Sequence, residues 1–145
     1  KIRNAILMGD IALANQYLGY NYLFSGKVIQ GNQLGRQIGF PTANIYVENK
    51  YKIIPKNGVY IVEVFFNEKS FNGIMNIGLK PTVGGKNISI EVNIFNFDQD
   101  IYNQKISISV LEFIRSEIKF NNIEQLKNQI KIDVIKATNY FNNQI

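Results

Sequence analysis

The chain reads as a mainly β domain, five or six antiparallel strands closed into a small barrel with helix at both ends. Three observations predict this. Between Ser25 and Phe113, apolar residues recur at every second position in short runs rich in Val, Ile, Phe and Tyr, separated by turns that contain Gly or Asn. Before Ser25 and after Asn122 the apolar spacing is that of a helix. So few strands with one closing helix would leave sheet edges open, and closure into a barrel removes them.

The elements follow in order. Ile2, Ala5 and Ile6, then Ile11, Ala14, Tyr17 and Leu18 after Gly9-Asp10, have helical spacing; Asp10 serves as a cap and Gly19 as a stop. Strands are predicted at 26–30, 58–66, 71–77, 88–97 and 105–113, with a short one near 43–47. The closing helix, 122–142, carries an apolar stripe of Ile123, Leu126, Ile130, Val134, Ala137 and Phe141. Asn121, followed three residues later by Glu124, makes a capping-box-like start. There is no internal repeat and no low-complexity segment.

Alternation in 88–97 puts Ile88, Ile90, Val92 and Ile94 on one face and Ser89, Glu91, Asn93, Phe95 and Phe97 on the other. In 105–113, Ile106, Ile108 and Val110 oppose Ser107, Ser109, Leu111 and Phe113. Glu91 is unfavourable in mid-strand by propensity. It is either a solvated outward side chain or a carboxylate set in a pocket wall.

Composition limits the chemistry. The 145 residues are 46% hydrophobic, enough for one domain with its own core. With no Cys there is neither a disulfide nor a thiolate metal site, and with no His there is no Ser-His-Asp or Cys-His system and no HExxH zinc site. The net charge of +5 suits an anionic ligand, but the basic residues are scattered, which also fits a merely solvated surface. No signal peptide and no membrane-spanning apolar run is found, so a cytoplasmic location is expected.

The segment "GNQLGRQIGFPTAN" combines Gly31, Gly35 and Gly39 with Arg36 and a Pro41 corner. Glycines let a backbone approach phosphate closely. The spacing matches neither a Walker A loop nor GxGxxG. Thr42 and Asn44 alternate in an extended segment, so their oxygens point the same way. They are hard neutral ligands of the kind Mg²⁺ accepts beside phosphates, or else they only satisfy turn groups.

Several stretches together resemble the riboflavin kinase family: "GFPTAN", "KNGVYIVEV", "GIMNIGLKPTVGG", "SIEVNIFNFDQDIYNQKISISVLEFIRSEIKF" and "IEQLKNQIKIDVIKA", in that order from about Ser25 to the C-terminus. Asn93 stands where the family usually has His, and Asn103 where it usually has Gly. The resemblance implies a six-stranded antiparallel Greek-key barrel that transfers the ATP γ-phosphoryl group to the 5′-hydroxyl of riboflavin, giving FMN and ADP. By resemblance, Glu91 is the catalytic base, and Thr42 and Asn44 hold Mg²⁺. Gly31, Gly35, Arg36, Gly39 and Pro41 cover or border the nucleotide, with Ile94, Asn96 and Tyr102 on the adenine side. Arg115, Glu117, Ile118 and Phe120 lie with Glu91 against the flavin substrate.

The opening "RNAILMGDIALANQYLGYNYLFSG" resembles the segment that joins this kinase to an FMN adenylyltransferase domain in bacterial bifunctional FAD synthetases. Residues 1–24 are therefore expected to be a helical linker remnant and 25–145 the kinase domain, with FAD synthesis requiring the upstream domain. The implied partners are ATP, ADP, riboflavin and FMN, with no nucleic acid and no membrane. Two other classes fit the residues alone: a non-catalytic oligonucleotide-binding barrel and an FMN-binding oxidoreductase barrel.

Overall fold

The computed structural model describes residues 1–29, 41–82 and 85–144, with backbone only at 80–82, 85 and 86. Helices α1 (Ile2–Leu7) and α2 (Ile11–Leu18) lead into strands β1 (Tyr22–Ile29), β2 (Ala43–Tyr46), β3 (Gly58–Phe66), β4 (Lys69–Thr82), β5 (Gly85–Ile94) and β6 (Lys105–Arg115), and helix α3 (Ile123–Asn142) ends the chain. The strands close into a barrel in the order β1-β2-β5-β4-β3-β6, every pair antiparallel. β6 lies beside β3, the first strand of the β3-β4-β5 meander, which is the Greek-key arrangement.

Local chemistry explains the turns and caps. β3 and β4 join through Asn67-Glu68, both at positive φ (55° and 65°), a two-residue turn whose handedness matches strand twist. Asn103 has φ 69°, so Asn does supply the left-handed geometry at that position. The Asp10 side chain accepts from the Leu13 N–H at 3.2 Å, and Gly19 ends α2 with φ 80°, both as expected. The start of α3 is shifted by one residue from the expected Asn121/Glu124 pairing. Asn122 is the cap and accepts from Gln125 N–H at 2.9 Å, while Gln125 Oε1 accepts from Asn121 N–H at 3.1 Å.

The barrel interior is filled by Phe24, Tyr60, Val62, Met75, Val92 and Ile108 with their neighbours, each fully or almost fully buried. Burying each such side chain contributes roughly 1.5–3 kcal/mol. A second cluster on the outside seats α3: Ile61, Ile74 and Ala137, flanked by Phe95, Leu111, Ile114, Val134, Tyr140 and Phe141. Ile123, expected in the stripe of α3, is 54% exposed.

Strict alternation fails in two places. Val62 pairs with Val110 but Ile61 with Glu112, and Tyr60 pairs with Phe113 but Val59 with Arg115. Leu111 and Ile114 are therefore the extra residues of two β-bulges. Each bulge flips the side-chain parity. Leu111 and Ile114 turn out towards α3, and Phe113 rejoins the interior face of Val110, edge-on to Tyr60 with ring centroids 5.2 Å apart. The second failure is at β5, which ends at Ile94; Asn96 then takes φ 55°. Phe95 packs outside under α3, while Phe97 joins the interior cluster, edge-on to Phe71 at 4.9 Å. Phe97 thus does not share the face of Glu91.

β1 begins at Tyr22 and so crosses the expected division at 24/25. Ala5, Ile6, Ile11 and Ala14 belong to the same apolar cluster as the barrel interior. Asn15 ties these parts together: its Oδ1 accepts from Tyr22 N–H at 2.8 Å and its Nδ2 donates to the Val110 carbonyl at 3.0 Å.

Candidate active site

The register of five strand pairs lines residues up across the sheet. Ile29 (β1) opposes Asn44 (β2), Asn44 opposes Glu91 (β5), Glu91 opposes Asn76 (β4), Asn76 opposes Val59 (β3), and Val59 opposes Arg115 (β6). Directly opposed residues share a face, with neighbouring strands about 5 Å apart. That face is the outer one, because Ile45, Ile90, Val92, Met75 and Ile77, which flank the row, all enter the interior cluster. Asn44 and Glu91 are half-buried, and Asn76 is exposed.

The row is bounded on two sides. Ile74, two residues from Asn76 on the same face, lies under α3. Gly78, two residues the other way, lies under Glu117: a Cβ at Gly78 would come within 3.0 Å of Glu117 Cδ, with Oε1 nearer still. At the β2 end, Asn93, two residues from Glu91 on the same outward face, donates from Nδ2 to the Pro41 carbonyl at 2.8 Å. This bond ties the Pro41-Thr42 corner to β5. The Asn that replaces the family's usual His thus keeps a donor at this position.

The predicted site residues are distributed as follows. Asn44 and Glu91 stand side by side, and half-buried Thr42 immediately precedes β2. Gly31, Gly35, Arg36 and Gly39 lie outside the described residues. Ile29, at the end of β1, pairs with Asn44. Ile94 closes β5 and packs on the interior cluster, Asn96 is exposed, and Tyr102 is 56% exposed with its N–H on Asp100 Oδ1 at 3.0 Å. Ile118 is 49% exposed and Phe120 half-buried.

Arg115 is engaged by its own fold: Nε and Nη2 bind the Asp133 carboxylate and Nη1 the Ser116 carbonyl. Asp133, 1% exposed on α3, lies within the closing-helix stretch that resembles the family, without an expected role. The signal for one is a carboxylate between Ile130, Val134 and Ala137 of the apolar stripe, where burial demands a cationic partner. Asn76 and Gly78 likewise lie within a resembling stretch, "GIMNIGLKPTVGG", without an expected role.

No group of three or more carboxylates able to hold a metal occurs among the described residues. The oxygen donors beside Glu91 are neutral, which suits a cation that arrives with anionic phosphates rather than one caged by the protein. A cleft of about 400 Å³ lined by Ser25, Gly26, Glu48, Lys52 and Lys105, among others, shares no residue with the row.

The described residues thus form a small closed Greek-key barrel with an outward row of Asn44, Glu91 and Asn76. The chain belongs to the riboflavin kinase family, whose model, described as riboflavin kinase, matches residues 18–141. It is 48% identical over 145 residues to the bifunctional riboflavin kinase/FMN adenylyltransferase of Bacillus subtilis (strain 168), a match covering 98% of this chain and 46% of that protein. The chain therefore spans about half the length of that relative.

Among solved structures, the riboflavin kinase of Trypanosoma brucei superposes with a TM-score of 0.60 at 27% identity, covering 84% of this chain and 80% of that one. A Streptococcus pneumoniae chain described as a macrolide-efflux protein superposes with a TM-score of 0.90 at 37% identity, covering 95% of this chain and 45% of that one. Among the described residues of the present chain, no helix is long and apolar enough to cross a membrane.

Proposed function

We propose that this domain transfers the γ-phosphoryl group of ATP to the 5′-hydroxyl of riboflavin, with Glu91 orienting that hydroxyl and accepting its proton. The observation that carries the proposal is the direct pairing of Asn44 with Glu91 across β2 and β5. It puts a neutral oxygen donor and a carboxylate next to one another on one wall, as a phosphorylated donor and an alcohol acceptor require. Phosphoryl transfer passes through a loose transition state, so positioning outweighs the strength of the base.

Thr42 and Asn44 are assigned as the residues that would hold Mg²⁺; when bound, the ion neutralises charge on the β- and γ-phosphates. Pro41, held through its carbonyl by Asn93, restricts where Thr42 can sit. Gly31, Gly35, Arg36 and Gly39 are assigned to a segment covering the nucleotide, with Ile94, Asn96 and Tyr102 on the adenine side. Glu117, Ile118 and Phe120 are assigned to the flavin. The reaction is assigned to the cytoplasm, and the helical segment ahead of the barrel to the joint with an FMN adenylyltransferase domain, as in the relatives' bifunctional description.

The test is direct. Protein incubated with riboflavin and MgATP should yield FMN and ADP in equal amounts. Salt-sensitive binding of single-stranded oligonucleotides without FMN formation would instead favour the non-catalytic barrel.

A further inference from the structure

The Arg115 guanidinium faces in two directions. Its Nε lies 3.0 and 3.2 Å from Asp133 Oδ1 and Oδ2, and its Nη2 lies 2.8 Å from Oδ2; the two side chains are 15% and 2% exposed. Gln129, four residues earlier on α3, donates from Nε2 to Asp133 Oδ1 at 3.1 Å, so the carboxylate is held from its own helix as well. Taken alone this is a satisfied buried ion pair that docks α3 on β6. The remaining arm is the informative one. Nη1 donates to the Ser116 carbonyl at 3.1 Å, gripping the first residue after β6.

One residue further, Glu117 covers Gly78 on the outer face of β4. The backbone of Gly78 does not take the positive φ that would demand glycine. What glycine supplies here is the missing side chain, a notch in which the Glu117 carboxylate rests. Gly78 is two residues along β4 from Asn76, the cross-strand neighbour of Glu91. A continuous chain of contacts therefore runs from the buried face of α3 to the edge of the outer row.

We propose that Arg115 is a positioning residue rather than a substrate contact. Asp133 and Gln129 fix its guanidinium, the guanidinium fixes Ser116, and Glu117 is thereby seated in the Gly78 notch beside the row. Gly78 and Asp133 become determinants of flavin affinity without touching the flavin. The identity of the ligand rests on the kinase assignment above; the mechanical linkage does not.

Three variants test this. Arg115→Lys keeps the charge and loses the fork, Asp133→Asn keeps the shape and loses the charge, and Gly78→Ala leaves the ion pair intact and displaces only the end of the Glu117 side chain. Arg115→Lys and Gly78→Ala should each raise the KM for riboflavin about tenfold, the effect of losing one charge-assisted contact, with the KM for MgATP within about twofold. Amide hydrogen exchange across residues 116–120 should accelerate in Arg115→Lys and Asp133→Asn, and the melting temperature of Gly78→Ala should match that of the wild type.

A riboflavin KM unchanged in Gly78→Ala, or both KM values rising together in Arg115→Lys, overturns the proposal. If the wild type makes no FMN, the kinase assignment fails by itself. Hydrogen exchange then still decides the linkage: unchanged rates at 116–120 in both Arg115→Lys and Asp133→Asn overturn it.

Discussion

Asn44 on β2 and Glu91 on β5 are direct cross-strand partners on the outer wall of the barrel, and Glu91 has Asn76 as its partner on the other side. Barrel closure fixes this spacing. Shifting β5 by one residue would turn Glu91 into the interior and expel Ile90 and Val92 from it, and the same slip in β2 would exchange Asn44 for Ile45. The register that buries the core is thus the same register that aligns the wall.

Glu91→Gln removes the proton acceptor while keeping size and hydrogen-bonding shape. FMN formation should fall roughly 10²–10⁴-fold, the usual range for a positioned general base. Riboflavin and MgATP binding, followed by flavin fluorescence and by calorimetry, should stay near wild type. A variant that turns over at the wild-type rate would remove Glu91 from the chemistry.

Thr42→Ala should weaken MgATP more than riboflavin, since its hydroxyl is assigned to the metal. Asn93→Ala acts one step back, by releasing the Pro41 carbonyl that Asn93 holds at 2.8 Å. It should raise the KM for MgATP several-fold, and Asn93→His, which restores a ring N–H donor, should recover most of the loss. Equal weakening of both substrates in Thr42→Ala would show that the corner serves only the fold.

Much of this wall was legible in the sequence, for identifiable reasons. Period-two alternation is strict in β5 up to Ile94, so the face of Glu91 was read correctly, and Thr42 and Asn44 alternate within a short extended segment. Phe113 and Phe97 lie on the face opposite to the one alternation predicts because a β-bulge and a left-handed Asn96 reset the parity, and neither event has a signature in apolar spacing. β1 starts four residues before the expected 26 because Tyr22 and Phe24 follow helical Tyr17 and Leu18 with little punctuation beyond Gly19. The Arg115–Asp133 pair spans 18 residues and two elements, and its contact depends on how α3 docks, which no local pattern encodes.

Gly58 opens β3 with φ 153°, and a Cβ there would meet Phe113 Cε1 at 2.6 Å and the Arg115 carbonyl oxygen at 2.7 Å. The bulged stretch of β6 presses on this position, so glycine is needed for both conformation and space. Gly58→Ala should destabilise the fold by about 1–3 kcal/mol, the usual cost of overpacking with backbone shift. Urea unfolding should show a lower midpoint with the slope unchanged; an unaltered midpoint would mean that β6 yields freely here.

Alkaline stability should be set partly by buried phenols. Burial raises the Tyr60 hydroxyl well above its ordinary 10.0, and burial also raises Tyr22. Tyr140 is raised by burial and further by the nearby Glu112 charge. A folded pKa above the unfolded one means the native state holds its proton longer. Below pH 10 both states are protonated and nothing is lost. Above it the unfolded chain ionises first, and stability falls by at most about 1.4 kcal/mol per pH unit for each such group. Tyr60→Phe isolates one of them. At pH 8 the variant should be less stable by roughly 1 kcal/mol, because the Lys56 carbonyl loses the hydrogen bond donated by Tyr60. Between pH 10 and 11 its stability should fall less steeply than that of the wild type, so the two curves converge. Urea titrations at pH 8, 10 and 11 measure the difference directly. A gap that stays constant over that range would mean that Tyr60 ionises as readily in the folded protein as in the unfolded chain.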